Sequence, residues 1–342
     1  MSEQPVLSVK NLEVEFDTFG GVVRAVRGVS YDVHAGETLA VVGESGCGKS
    51  VTVQALMGLI PMPPGRIVGG SAKLLGQELI GLNQSQLNAV RGADMGMIFQ
   101  DPMTSLNPTM HIGDQIAETL VVHRGIGRDA ALAEAVRLLE RTRIPEAAQR
   151  ARQYPFEFSG GMLQRVMISM SLACTPKLLI ADEPTTALDV TIQDQVLELM
   201  REIQREDHMA IVLITHDLGV VARMADRVAV MYAGEVVESG TVDDIFYRAS
   251  HPYTQGLREA MPDMHQHGKD RLEAIPGSPP DLFAPPPGCA YHPRCPHAMR
   301  ICNRIDPSTY PVGDGHQASC WLLHEGAPKP QTTHADGDHH AG

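Results

Sequence analysis

A glycine-rich stretch at residues 43–50 has the composition of a loop that binds phosphate groups. Its members, which we expect to contact a nucleotide together with Val51, are Gly43, Glu44, Ser45, Gly46, Cys47, Gly48, Lys49 and Ser50. They match the pattern G-x-x-x-x-G-K-[ST], in which glycines let consecutive N–H groups point at phosphate oxygens. Lys49 is expected to reach the β- and γ-phosphates, and the Ser50 hydroxyl to ligate Mg²⁺. The stretch therefore predicts a site for a nucleoside triphosphate with Mg²⁺.

Two acidic side chains end an apolar run that starts at residue 178. A buried strand would deliver Asp182 to a metal ion, and Glu183 one residue later can polarise an attacking water as a general base. Two acids at a strand end also often begin a turn, so the pair alone leaves both interpretations open. The phosphate loop earlier in the chain favours the functional one.

Two further polar side chains follow apolar runs. His216 comes directly after residues 210–215, where a lone histidine is more often structural. At a strand end beside the two acids, however, it would contact the γ-phosphate or orient the attacking water. Gln100 follows another apolar run and offers Mg²⁺ a neutral oxygen ligand.

Four of the six cysteines crowd the last sixth of the chain with the spacing C-x5-C-x6-C-x17-C: Cys289, Cys295, Cys302 and Cys320. In a reducing compartment such a group indicates a metal site before it indicates disulfides. Four thiolates can hold Zn²⁺ or a [4Fe–4S] cluster, although structural zinc sites usually contain C-x2–4-C pairs, which this group lacks. Three histidines are near enough to substitute but are expected at the surface or behind the ligands: His292, His297 and His316.

The apolar pattern places these motifs on alternating strands and helices. Alternation predicts an antiparallel pair of strands at residues 7–16 and 24–33. Unbroken apolar runs predict buried strands at residues 38–42, 178–181 and 210–215. Helices are predicted at residues 51–59 and 189–205 and over most of residues 101–162, most clearly at residues 130–139. Strands that alternate with helices predict an α/β fold with a mainly parallel sheet.

Composition limits the possible classes of protein. The 342 residues suffice for two domains, or for one large domain with an extension. With 28 basic and 41 acidic side chains, the net charge of −13 argues against binding nucleic acid through overall charge. No run approaches the roughly 20 apolar residues of a membrane span, and the N-terminus lacks the apolar region of a signal peptide. A soluble, cytosolic protein is predicted.

The chain changes character after about residue 260. Six prolines between residues 276 and 287 predict an extension without a regular core, held by something other than helix packing. The final residues, 326–342, are polar and rich in histidine and predict a flexible tail.

Residues 158–165 add a more specific pattern. Ser159, Gly160 and Gly161 resemble the signature sequence of ATP-binding-cassette (ABC) ATPases, although Phe158 and Met162 replace the usual leucine and glutamine. The order of motifs is also similar to that family: phosphate loop, glutamine, signature, acidic strand, D-loop and histidine. The resemblance implies a P-loop, RecA-like ABC nucleotide-binding domain with an antiparallel β subdomain and a helical insertion. It also implies catalytic roles for Lys49, Glu183 and His216, and Mg²⁺ held through Ser50, Gln100 and Asp182.

In that family the signature contacts the ATP that is bound by another subunit. The resemblance therefore implies that Ser159, Gly160 and Gly161 act on the ATP of a second, homologous ATPase subunit, and that Asp189 belongs to the D-loop at residues 187–189. An aromatic residue shortly before the phosphate loop usually stacks on the adenine. Phe19 fits best by its spacing, with Phe16 as the second choice.

Longer phrases at residues 98–108, 181–191 and 251–254 resemble the ATPase subunits of dipeptide and oligopeptide importers, and the resemblance covers about residues 5–322. It implies ATP hydrolysis that powers peptide import, at the cytoplasmic face of the cell (inner) membrane. The implied partners are two membrane-spanning permease subunits and an extracytoplasmic solute-binding protein, without nucleic acid. An importer of nickel or of another small solute stays open. A soluble ABC ATPase outside transport also stays open, but the acidic charge and these phrases speak against it.

The same importer subunits carry a C-terminal cysteine set. The resemblance implies a [4Fe–4S] cluster on the four cysteines, with zinc as the alternative. The resulting organisation is an ABC ATPase domain at residues 1–260 with a helical subdomain at about 101–162, a cysteine-rich extension at 261–325, and a tail at 326–342.

Overall fold

Two β-sheets organise the chain, which the computed structural model describes over residues 4–186, 188–261 and 275–328. The strands of the smaller, antiparallel sheet are β1 (Leu7–Thr18), β2 (Gly21–Val33), β4 (Gly65–Leu74) and β5 (Gln77–Glu78). They lie in the order β2-β1-β4-β5. Leu7 lies opposite Val33 and Thr18 opposite Gly21, which confirms the predicted pair.

The larger sheet has eight strands. They are β3 (Thr38–Val42), β6 (Met95–Ile98), β7 (Leu178–Asp182), β8 (Ala210–Thr215), β9 (Arg227–Tyr232), β10 (Glu235–Thr241), β11 (Tyr310–Gly313) and β12 (His316–Ala318). Their order is β11-β12-β10-β9-β3-β8-β7-β6, and the strands from β9 to β6 are parallel. Every residue of β3, β7 and β8 is buried, which explains why their sequences are apolar runs without alternation.

The order of the strands brings separate motifs to one edge of this sheet. In β3 and β8, Val42 lies opposite Thr215, and in β7 and β8, Asp182 lies opposite Ile214. The phosphate loop, the two acids and His216 all follow the carboxyl ends of these three neighbouring strands. Parallel α/β sheets bind their ligands at this edge.

Helices pack against the sheets, and a helix is found near each of the two positions predicted outside the insertion, residues 51–59 and 189–205. They are α1 (Lys49–Leu56), α2 (Gln84–Val90), α8 (Val190–Asp207), α9 (Leu218–Met224), α10 (Val242–Tyr247) and α11 (Pro252–Glu259). Helix α1 ends at Leu56 rather than at residue 59. Gly58 has a φ of +58°, and Arg91 donates hydrogen bonds to the carbonyls of Met57 and Gly58, which end the helix early.

The helical insertion has its own hydrophobic core. Its elements are α3 (Pro102–Ser105), α4 (Ile112–Arg124), α5 (Arg128–Arg141), α6 (Ala147–Arg150), a 3₁₀ turn (Pro155–Glu157) and α7 (Gly160–Ser171). Ile112, Ile116, Leu120, Leu139 and Leu163 are buried together in that core. The helical content predicted for this part of the chain is confirmed.

The C-terminal extension contains two strands, which the sequence did not predict. It continues the larger sheet, because β12 pairs with β10 through Ala318 opposite Glu238, and β11 pairs with β12. Tyr291 is buried against Tyr232 and Tyr253 of the main body. The prolines exclude strands only near residues 276–287, whereas the edge of β10 offers unpaired backbone groups to a later segment. Residues 262–274 and most of the predicted tail, 329–342, lie outside the described residues.

Candidate functional site

The phosphate loop joins the carboxyl end of β3 to α1, as its sequence predicts. The φ angles of Gly43 and Gly48 are +154° and +102°. A Cβ atom at these two positions would collide with the backbone carbonyls of Met231 and Ala25, respectively. Only glycine fits such positions. Strands β9 and β2 therefore hold the loop from two sides.

Within the loop, Lys49 is 5 % exposed and folds back on its own backbone. Its ammonium donates hydrogen bonds to the carbonyls of Gly43 (2.7 Å) and Glu44 (3.0 Å). Cys47 is buried, and its burial raises the pKa of the thiol. The loop exposes Ser45 and Gly46, and Val51 packs against the core behind it.

A hydroxyl and a carboxylate meet beside the loop. The Ser50 Oγ donates a hydrogen bond of 2.9 Å to Oδ1 of Asp182, which is 7 % exposed. Burial raises the pKa of Asp182, and the hydrogen bond from Ser50 opposes that rise. Both side chains present hard oxygen ligands of the type that Mg²⁺ takes in phosphoryl-transfer sites. This donor pair fits the predicted magnesium site.

Glu183 has three partners and a strained backbone. Its Oε1 lies 3.1 Å from Nδ1 of His216, and its Oε2 accepts hydrogen bonds from Nε2 of Gln100 (3.1 Å) and Oγ1 of Thr186 (3.0 Å). Its φ is +49°, and its N–H donates to the carbonyl of Ile214. A positive φ at a residue other than glycine is costly and is typical of functional sites. In this structure, Gln100 contacts Glu183 rather than the Ser50–Asp182 pair.

The signature forms the start of α7. Ser159 precedes the helix and does not cap it with its side chain, and Gly160 is the first helical residue; both are exposed. A Cβ on Gly160 would meet nothing within 4 Å, whereas a Cβ on Gly161 would lie 2.6 Å from Cγ2 of Ile192. The two glycines therefore differ, because Gly160 leaves the helix N-terminus open and Gly161 allows α7 to pack against α8.

Asp189 of the predicted D-loop caps α8 and accepts a hydrogen bond of 3.0 Å from the N–H of Ile192. Ala187 of the same segment lies outside the described residues. The predicted adenine-stacking residue, Phe19, is fully exposed at the turn between β1 and β2. The second choice, Phe16, packs against the hydrophobic core.

The structure records all four C-terminal cysteines as free thiols. Burial, followed by smaller effects that include neighbouring cysteines, raises the pKa of Cys289 to about 12 and of Cys320 to about 11. Cys302 accepts a hydrogen bond from the N–H of Met299 at 3.4 Å. The thiols are therefore near neighbours in a partly buried cluster.

These thiols are not arranged as metal ligands. In the described part of the chain, no group of three or more His, Cys, Asp or Glu side chains is placed so that it could hold a metal ion. The geometry thus does not support the predicted iron–sulfur cluster or its zinc alternative. Nε2 of His316 lies 2.8 Å from Oε1 of Glu238. Nδ1 of His292 lies 2.9 Å from the carbonyl oxygen of Cys289.

Sequence reasoning missed three residues around the site. Thr186 contacts Glu183, and the Tyr253 hydroxyl accepts a hydrogen bond of 2.9 Å from the N–H of Glu44. Arg294 binds the carboxylate of Glu44. Thr186 and Tyr253 lie within the importer-like phrases, but no local pattern singles out Arg294.

No helix within residues 4–186, 188–261 and 275–328 is long and apolar enough to cross a membrane.

The comparisons with known proteins agree with this geometry. The profile described as ABC transporter matches residues 26–186, and that described as oligopeptide/dipeptide transporter, C-terminal region, matches residues 237–302. The oligopeptide transport ATP-binding protein OppD of Bacillus subtilis is 56 % identical over 96 % of this chain and 92 % of its own length. The dipeptide transport ATP-binding protein DppD of the same organism is 53 % identical over 93 % of this chain and 95 % of its own.

Among solved structures, the ATP-binding cassette MJ0796, a dimer bound to ADP and phosphate, superposes with a TM-score of 0.62. It is 25 % identical and covers 69 % of this chain and 98 % of its own. The fold and the site thus define an ABC-type ATPase with an α/β, P-loop nucleotide-binding domain. Within that class, the chain belongs to the family of oligopeptide and dipeptide transport ATP-binding proteins.

Proposed function

We propose that this chain hydrolyses ATP at the carboxyl edge of β3, β8 and β7, and that hydrolysis powers the import of dipeptides or oligopeptides. The catalytic role is supported above all by one observation: His216, Gln100 and Thr186 hold the carboxylate of Glu183 beside the phosphate loop. The names of the relatives support peptides as the cargo.

The loop of residues 43–50, followed by Val51, binds the triphosphate. Lys49 moves its hydrogen bonds from the carbonyls of Gly43 and Glu44 to the β- and γ-phosphates. Ser50 and Asp182 would hold Mg²⁺, and the amide oxygen of Gln100 is proposed as a further ligand. A magnesium ion held there would neutralise charge that develops on the phosphate oxygens. Phe19 is the proposed adenine-stacking residue, with Phe16 as the alternative.

Glu183 acts as the general base. As the water oxygen bonds to the γ-phosphorus, the bond from that phosphorus to the bridging oxygen breaks, and the water proton passes to the Glu183 carboxylate. His216 and Gln100 orient this carboxylate from its two oxygens. The products are ADP and phosphate, and Glu183 then loses its proton to solvent.

The signature serves a second nucleotide site in trans. Ser159 and Gly160 are exposed at the N-terminus of a helix of 12 residues, where N–H groups and the partial positive charge suit a phosphate. We place the ATP of a second, homologous ATPase subunit on Ser159, Gly160 and Gly161, with Asp189 beside that interface. The dimeric arrangement of MJ0796 supports such a pair.

In the cell the chain is proposed to sit peripherally on the cytoplasmic face of the inner membrane. Its partners are two permease subunits and an extracytoplasmic solute-binding protein, and it does not bind nucleic acid. The proposed organisation is an ATPase domain at residues 1–260, an extension at 261–325 and a tail at 326–342.

Transport in cells tests this function. We would replace the chromosomal copy with Glu183→Gln and measure uptake of a labelled tripeptide and of nickel. Loss of tripeptide uptake alone supports the peptide importer, whereas loss of nickel uptake alone assigns another cargo. An exposed residue supplies the isosteric control, Glu198→Gln, which should import normally. Copurification with ribosomes or DNA instead of integral membrane proteins would contradict a role in transport.

We also propose that Cys289, Cys295, Cys302 and Cys320 hold a [4Fe–4S] cluster, with zinc as the alternative. The support is that four thiols, which are the usual ligands of either group, lie in one partly buried part of the extension; they are not arranged as ligands in this structure and would have to move together to bind a metal. Because metal ligation requires thiolates, binding would release protons from the thiols, including those of Cys289, Cys295 and Cys320, whose pKa burial raises. Anaerobic purification with iron, sulfide and zinc assays tests it. About four irons per chain would support the cluster, and one zinc would support the alternative. If the purified chain contains neither iron nor zinc, both proposals are refuted.

A further inference from the structure

Glu44, the second residue of the phosphate loop, is held through three of its groups. Its N–H donates to the Tyr253 hydroxyl at 2.9 Å, and its carbonyl accepts from Lys49 at 3.0 Å. Its carboxylate accepts two hydrogen bonds from Arg294, from Nη1 at 2.6 Å and from Nη2 at 3.0 Å. The loop that carries Lys49 is thus connected, through Glu44, to a residue of the C-terminal extension.

Arg294 is firmly placed for this contact. It is 8 % exposed, its Nε donates to the carbonyl of Pro276 at 2.8 Å, and its guanidinium lies over the rings of Tyr232 (5.8 Å) and Tyr291 (6.0 Å). The hydrogen bonds with Glu44 raise the pKa of Arg294. A two-bond pair of arginine and carboxylate fixes direction as well as distance. The extension therefore sets where the carboxylate of Glu44 lies.

The charge of Glu44 matters because of what the loop binds. An unneutralised carboxylate in this loop would repel a triphosphate and would compete for Lys49. Arg294 removes both problems, since it neutralises the carboxylate and keeps it on the side of the extension. Arg294 contacts the loop through Glu44 and needs no contact with the nucleotide.

We propose that Arg294 is a positioning residue of the ATP site, and that the C-terminal extension completes this site by neutralising and orienting Glu44. This role rests on the proposed function of residues 43–50 in binding ATP. It assigns to the extension a part in nucleotide affinity, in addition to any part in holding a metal.

Three variants of the full chain test the proposal through ATP affinity. Arg294→Gln leaves Glu44 charged and unpaired, and we expect the Kd for a fluorescent ATP analogue with Mg²⁺ to rise about 10-fold or more, while kcat at saturating ATP changes less than about 3-fold. Glu44→Gln removes the harmful charge. The double variant Glu44→Gln with Arg294→Gln should therefore bind ATP more tightly than Arg294→Gln alone, by about 3-fold or more.

A merely structural role for Arg294 would give a different result. If the pair only fastens the extension, Arg294→Gln lowers the melting temperature without changing the Kd, or weakens binding in a way that Glu44→Gln does not restore; either outcome overturns the proposal. Arg227→Gln is the matched control, because Arg227 pairs with Glu37 at 2.8 Å outside the phosphate loop. It should change stability but not ATP affinity.

Two further variants keep the outcomes separable. If Arg294→Gln does not fold, Arg294→Lys retains the charge without the two-bond geometry and should still raise the Kd, whereas an unchanged Kd would overturn the proposal. Lys49→Ala tests the loop itself. Normal ATP binding by Lys49→Ala would refute the phosphate site, whereas its loss together with normal binding by Arg294→Gln would refute only the role of Arg294.

Discussion

Ser50 and Asp182 are separated by 132 residues, yet the Ser50 hydroxyl donates a 2.9 Å hydrogen bond to the Asp182 carboxylate. This contact joins the start of α1 to the end of β7 across the intervening strand β8. Two oxygen donors that the sequence could only propose as partners are therefore adjacent. The adjacency also makes their proposed magnesium role measurable.

Asp182→Asn should weaken the binding of Mg²⁺ at the ATP site more than it lowers the stability of the fold. The amide loses the negative charge that attracts the cation, so the Mg²⁺ concentration for half-maximal activity should rise about 10-fold or more. Magnesium titrations of ATPase activity measure this shift. Ser30→Ala, which removes a hydroxyl on the antiparallel sheet, is the control. Identical titrations for the wild type and Asp182→Asn would contradict the assignment.

Glu183→Gln should bind ATP but hydrolyse it about 10²–10⁴-fold more slowly, because the amide cannot accept the proton of the attacking water. It should also trap the closed pair of ATPase subunits. Phosphate release in a single turnover and size-exclusion chromatography with ATP measure the two effects. Equal hydrolysis by wild type and variant would remove Glu183 from its role as the base.

The two signature glycines should respond differently to alanine. Gly160→Ala places its methyl in open space, so the melting temperature should stay unchanged, while ATPase activity of the assembled transporter should fall about 10-fold or more. The new methyl would stand where the partner's phosphate approaches. Full activity in Gly160→Ala would argue against a contact between this helix end and the partner's ATP.

Gly161→Ala should mainly cost stability. Its methyl would lie 2.6 Å from Cγ2 of Ile192, and such overpacking typically costs about 1–3 kcal/mol. Urea unfolding measures the loss. In an Ile192→Ala background the same change should cost clearly less, because the obstructing atom is gone. An equal cost in both backgrounds would show that the clash does not set the stability.

His251 predicts a loss of stability in mild acid. Burial lowers its pKa to about 3 from an ordinary value of 6.5, so the folded chain keeps this imidazole neutral while the unfolded chain binds a proton. As the pH falls from about 6.5 towards 3, the free energy of unfolding should fall by up to about 1.4 kcal/mol per pH unit from this group. Urea unfolding between pH 7 and pH 4 measures it.

His251→Asn should make that pH dependence shallower. In the wild type, the N–H of Tyr253 donates a hydrogen bond of 3.0 Å to Nδ1 of His251. Asparagine keeps an acceptor for this N–H, but its side chain does not titrate. His208→Asn removes one histidine at an exposed position whose φ of +49° asparagine tolerates, and serves as the control. Parallel curves for the wild type and His251→Asn would contradict the prediction.

The class of fold and the position of the phosphate loop could be predicted from the amino-acid sequence alone. Strands β3 and β8 begin and end where the sequence predicts, because a strand buried on both faces needs an unbroken apolar run. The loop is equally local, since eight consecutive residues supply its glycines, Lys49 and Ser50. Such features depend on neighbours in the chain, and a sequence displays those directly.

The contacts between residues far apart in the chain could not be predicted from the sequence. Arg294 reaches Glu44 across 250 residues, Gln100 meets Glu183 rather than the Ser50–Asp182 pair, and β12 extends the sheet from a segment with no strand prediction. The four cysteines form a close group without the arrangement of metal ligands. These outcomes depend on how strands and loops pack in space. That packing cannot be deduced from the spacing of residues along the chain.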